Sequence, residues 1–90
     1  MKRVHLVISG DVVGVGYRAW ALRQAQGLQL TGWIKNRDNK TVELVAEGEK
    51  QALEKFIDFC KKGPDLAWVE HIEVKWLPVS GEFMDFAVVY

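Results

Sequence analysis

Residues 3 to 9 alternate, with Val4, Leu6 and Ile8 on one side and His5, Val7 and Ser9 on the other, the period-two pattern of a strand. The period changes after the glycine-bearing stretch "SGDVVGVGYRAW" (9–20). Tyr17, Trp20, Ala21, Gln24, Ala25 and Leu28 then recur at helical spacing, with Gly27 as the expected stop. "LQLTGWIKN" (28–36) and "TVELVAEG" (41–48) read as two strands joined by the polar tip "RDNK", a hairpin. From Glu49 to Lys62 the apolar positions Ala52, Leu53, Phe56, Ile57 and Cys60 mark a second helix. It is closed by "KKGP", where glycine caps the last turn and proline cannot continue it. "WVEHIEVKWLPV" (68–79) and "EFMDFAVVY" (82–90) alternate again on either side of an "SGE" turn.

The order is βαββαβ with a short C-terminal strand. Two right-handed β-α-β units with a hairpin between them predict an α+β, ferredoxin-like split-βαβ sandwich: an antiparallel sheet with two helices on one face and the other face wet. Ninety residues suit one domain over 1–90 with a single core. Twelve basic and twelve acidic side chains cancel, so no broad positive field exists to hold nucleic acid. Cys60 is the only cysteine and the N-terminal apolar run is too short for a signal peptide, so a reducing, cytoplasmic setting is expected. No run approaches the roughly 20 apolar residues of a membrane span, and no membrane partner is expected.

The candidate chemistry lies in the loop between the first strand and the first helix. That loop opens a helix N-terminus, which directs free N–H groups and a partial positive charge outward. A nucleotide P-loop would need lysine and then serine or threonine after its last glycine, where this chain has Tyr17 and Arg18. Gly14, Gly16 and Ala19 do satisfy the dinucleotide fingerprint, with Asp38 downstream, but the second strand leads into a hairpin rather than another βαβ unit. The glycines could also simply make a tight turn, which leaves Arg18 as a cation at the disfavoured end of the helix dipole. An anion nearby would relieve that. Backbone N–H groups of Val13, Gly14, Val15, Gly16, Tyr17 and Arg18 can form a nest for a small phosphate group, and the Arg18 guanidinium can grip two of its oxygens.

"GDVVGVGYR" (10–18) resembles the acylphosphatase signature G-x-V-Q-G-V-x-[FY]-R, and "GWIKNRDNKTVELVAEG" (32–48) resembles the second signature of the same family. The likeness extends to the element order, the length, the "KKGP" stop and the aromatic C-terminus. It implies hydrolysis of the carboxyl–phosphate bond of small acyl phosphates, releasing inorganic phosphate. By the same likeness Arg18 and the loop amides bind phosphate, and Asn36 positions the attacking water. Neither a metal nor a cofactor is implied. Elementary chemistry agrees, since a carboxylate leaves without help from a general acid and phosphoryl transfer is dominated by positioning and electrostatics. Without the first motif, Asn36 reads better as a turn-forming residue ahead of "RDNK" than as a catalytic one. Val13 stands where the family has glutamine, Lys40 where it has glycine and Ile34 where it has a smaller residue.

The remaining chemical side chains carry less. His5 and His71 lie on different strands with no further ligand at metal spacing, and both are read as surface or edge residues. Cys60 falls on the apolar side of its helix and is read as packing. The four tryptophans lack the basic and aromatic context of an RNA-binding sheet and are assigned to core and sheet-face packing. A monomer is expected. The alternative from another class is a non-catalytic module in which the same loop holds phosphate or another small anion.

Overall fold

In the computed structural model, residues 1–90 form β1 (Lys2–Asp11), α1 (Tyr17–Gly27), β2 (Thr31–Asp38), β3 (Thr41–Gly48), α2 (Lys50–Lys62), β4 (Trp68–Leu77) and β5 (Phe86–Val88). The strands make one sheet in the order β4-β1-β3-β2-β5. Among the first four, every pair of neighbouring strands is antiparallel, as the sequence pattern predicts. β5 instead pairs parallel with β2, Gly32 opposite Phe86 and Ile34 opposite Val88, so the sheet is mixed. The direction follows from the topology. β4 ends at the end of the sheet where β2 begins, so the chain crossing to the far edge enters it in β2's direction.

One face of the sheet carries the core. Val4, Leu6, Ile8, Ile34, Val42, Leu44 and Ala46 are all 0% exposed and meet Ala21 and Ala25 of α1 and Leu53, Phe56 and Cys60 of α2. Burying each of the larger side chains removes enough apolar surface to contribute about 1.5–3 kcal/mol. Phe86 closes this core at the β5 edge, edge-on to Phe56 with ring centroids 5.9 Å apart. The α1 exit differs from expectation: Gly27 is the last helical residue, and the left-handed backbone falls on Gln29, φ 59°. The α2 exit is as expected, with Gly63 at φ 71° donating its N–H to the Phe59 carbonyl.

The other face is polar but not wholly open. Residues 78–85, between β4 and β5, fold back so that the Ser80 and Gly81 amides and the Ser80 hydroxyl all donate to Glu47, which is 3% exposed. Arg3 adds an ion pair to Glu47 at 3.4 Å and another to Glu82 at 3.3 Å. His5 sits on an interior strand, not an edge, with Nε2 2.7 Å from Glu43. Trp68 and Trp76 are largely exposed rather than packed. No helix is long and apolar enough to cross a membrane.

Candidate functional site

β1 overruns the expected strand by two residues. Past a register shift after Ser9, Gly10 and Asp11 pair with Val69 and Trp68. At Gly10, φ is 136° and a Cβ would lie 2.3 Å from the Trp68 carbonyl oxygen, so this glycine serves strand pairing at a bulge. The loop proper spans residues 12–16. Gly14 and Gly16 adopt φ 79° and 81°, and a Cβ on either would meet nothing within 4 Å. Space does not require glycine there; the left-handed backbone does. Between and before them Val12, Val13 and Val15 pack against the core and pin the loop from inside.

Anchored by its side chains, the loop leaves its amides unused. None of the turn and loop hydrogen bonds in the chain is donated by residues 13 to 18; the first bond of α1 runs from the Trp20 N–H to the Gly16 carbonyl, 3.0 Å. Gly16 occupies the N-cap with no side-chain cap, and the first turn holds no acidic residue. A run of free N–H groups therefore coincides with the positive pole of a helix. Arg18, the second residue of α1, forms no ion pair. Its guanidinium carbon stands 5.1 Å from the centroid of the Tyr90 ring.

These groups border a cleft of about 160 Å³ lined by Gly14, Gly16, Tyr17 and Arg18 together with Val12, Ala19, Val88 and Tyr90. Tyr17 contributes mainly backbone, because its ring is 1% exposed and its hydroxyl donates to the Cys60 carbonyl at 2.7 Å. Burial, then the neighbouring Cys60, drives the Tyr17 phenol far above its usual range. Burial likewise pushes the Cys60 thiol up to about 12, a neutral group packed as expected from its place on α2.

Asn36 is not one of the cleft-lining residues. It lies on β2 in a cross-strand row with Val42, Ile8 and Ile72, at the end of the sheet from which the loop departs. A register shift between Asn36 and Asp38 follows it, and the hairpin tip is tied to β1 by the Gly10 N–H donating to the Lys40 carbonyl at 3.0 Å. Lys40 also donates its own N–H to Asp38 Oδ1, and that bond holds the Asp38 carboxyl below its usual range. The Asn36 Oδ1 is buried with no hydrogen-bond partner. A buried acceptor left unpaired costs stability and calls for a reason. Val88 and Tyr90 were not singled out as site residues from sequence. Their alternation with Phe86 is visible there, but the parallel pairing that brings β5 beside β2 is not.

The protein-family model Acylphosphatase matches residues 4–88. An acylphosphatase of Methylococcus capsulatus is 47% identical over 89 residues, covering 99% of this chain and 97% of its own. The crystal structure of acylphosphatase from Bacillus subtilis is similar over 100% of both chains, with 34% identity and a TM-score of 0.95. Full-length HypF in its phosphate- and nucleotide-bound form matches 99% of this chain at 29% identity and TM-score 0.81, but only 12% of that longer protein is involved.

Proposed function

Because this chain belongs to the acylphosphatase family, we propose that it hydrolyses the carboxyl–phosphate bond of small acyl phosphates, releasing a carboxylate and inorganic phosphate, with Arg18 and Asn36 as its catalytic residues. The phosphoryl group lies on the amides of residues 13 to 18, and the planar Arg18 guanidinium donates to two of its oxygens. Asn36 accepts a hydrogen from a water molecule at Oδ1 and so fixes it in line with the scissile bond. The water oxygen attacks phosphorus, the bond from phosphorus to the acyl oxygen breaks, and its electron pair leaves on the carboxylate. The water proton passes to a phosphate oxygen. A leaving group whose conjugate acid has a pKa near 4 needs no proton, so no histidine enters. Residue 13 contributes only its amide, which valine supplies as well as glutamine would.

The observation that carries this reading is the run of unpartnered amides at 13 to 18 and an Arg18 with no carboxylate, next to a cleft that Gly14, Gly16, Tyr17 and Arg18 line. The Asn36 Oδ1 is unpaired but closed to solvent, so the side chain must turn for a water to reach it. A single unit over residues 1–90, acting as a cytoplasmic monomer without metal or cofactor, completes the proposal. The second reading is a non-catalytic phosphate-binding module, and Val13, where the family signature has glutamine, is the position that favours it.

Hydrolysis of benzoyl phosphate in excess EDTA separates the two. The parent is expected to turn over rapidly, and Arg18→Ala and Asn36→Ala to lose about 100-fold or more in kcat while remaining folded by circular dichroism. A parent rate equal to the spontaneous one, with phosphate still bound, selects the binding module.

A further inference from the structure

We infer that Asp38 is a positioning residue for Asn36: by accepting the Lys40 N–H it closes the β2–β3 tip in a turn that would otherwise splay the two strands, and so fixes where Asn36 stands relative to the phosphate-binding loop. This rests on the hydrolase reading above and adds a residue to the machinery of that site.

Only Asn39 and Lys40 join β2 to β3, since Asp38 pairs with Thr41. A two-residue tip ordinarily takes a type I′ or II′ turn, with positive φ at one or both central residues, because that hand matches the twist of the strands. A turn of the opposite hand pushes the strands apart. Neither Asn39 nor Lys40 has a positive φ; Gln29 is the one non-glycine residue of the chain that does. The tip therefore carries the unfavoured hand within a few residues of Asn36. Two features answer it. The register shifts between Asn36 and Asp38, which absorbs the mismatch as a bulge. Asp38 Oδ1 then accepts from the Lys40 N–H at 2.9 Å, a side-chain bond that closes the turn.

The tip also reaches the phosphate-binding loop. Lys40 offers its carbonyl to the Gly10 N–H at 3.0 Å, and Gly10 precedes the loop in β1. Asp38, Lys40 and Gly10 thus bridge the strand that carries Asn36 to the strand that delivers the loop amides. The two ends of the bridge are unequally held. Gly10 is paired with Val69 of β4 and the loop valines pack against the core, whereas Arg37, Asp38, Asn39 and Lys40 are all exposed. Loosening the bridge therefore moves the tip and leaves the loop in place. Asn36 has no partner at Oδ1 to hold it, so that acceptor follows the β2 backbone. A displacement of about 1 Å costs catalysis up to roughly a hundredfold, while phosphate on the loop amides and Arg18 is little affected.

The test measures kcat, KM and inhibition by inorganic phosphate, with benzoyl phosphate as substrate, and follows hydrogen exchange of the Lys40 amide alongside. It compares the parent, Asp38→Ala, Asp38→Asn, and Asp38→Ala combined with Lys40→Gly. Asp38→Ala is expected to lose about tenfold in kcat, to change phosphate inhibition by less than about twofold, and to exchange its Lys40 amide faster. Asp38→Asn keeps an oxygen acceptor in the same place and should stay within about threefold of the parent. Lys40→Gly makes the tip Asn-Gly, the pair that most favours a type I′ turn and needs no side-chain closure, so the double variant should recover most of kcat. Parent-like kcat in Asp38→Ala overturns the inference. So does an equal loss of phosphate inhibition, which would make the tip a support of the loop, and so does a failure of either Asp38→Asn or the double variant to exceed Asp38→Ala. If the parent itself does not exceed the spontaneous rate, the hydrolase reading fails and this inference with it, a result distinct from a working parent that is indifferent to Asp38.

Discussion

At Gly16 the backbone conformation and the chemistry meet in one residue. Its left-handed φ of 81° turns the chain into α1, while a Cβ would have open space. Gly16→Ala should therefore fold but carry about 1–2 kcal/mol of backbone strain. A thermal melt should show a fall of several degrees, and phosphate inhibition should weaken as the amides turn; an unchanged melt would mean that the loop relaxes without cost. Residue types at this scale were legible in the sequence. Glycines 14 and 16 and Arg18 suggest an anion site by their chemistry, and the structure adds that Val12, Val13 and Val15 pack that loop against the core. The orphaned Asn36 Oδ1 was not legible, since it depends on where the neighbouring strands place the side chain. Gly10 looked like part of the loop because it precedes the same valines, yet its contact with the Trp68 carbonyl comes from a strand 58 residues away.

Among the elements, α2 was the most legible, because its apolar positions fall on a narrow face and its stop combines glycine with proline. β5 was the least: three residues long, it owes its place to pairing with β2 and to the segment tied down at Glu47. Burial alone would raise the Glu47 carboxyl, but the Ser80 amide and hydroxyl, the Gly81 amide and Arg3 outweigh it and hold the group below the usual range. The folded-state pKa is thus depressed. The stability this adds is present above the unfolded glutamate value of about 4.3 and is lost as pH falls through the folded value. Urea midpoints should place Glu47→Gln clearly below the parent at pH 6, with the gap closing as pH falls below about 4. A gap that persists at pH 3 would show that the charge of Glu47 is not what holds the segment.

In the molecule as a whole, the strand directions gather the candidate site at one end: β1 finishes there, α1 starts there, and β2 and β5 point toward it. Ligand binding at that end should register in global stability. Inorganic phosphate at about 100 times its dissociation constant adds about 2.7 kcal/mol, which at 4–8 °C per kcal/mol is an upward shift of Tm by about 10 °C or more. Arg18→Ala should show almost none of this shift, and a full shift in that variant would place the anion elsewhere. The βαββαβ order was legible because helix and strand periods differ, whereas which strand lies beside which needed the folded chain. The two sides of the cleft also rest on unequal supports. The amide side grows from β1, paired along both edges, while the Tyr90 side hangs from a three-residue strand at the rim of the sheet. Short rim segments open at lower free energy than central strands. On warming, the β5 rim of the cleft would open first, while the loop side carried by β1 keeps its shape until near global melting.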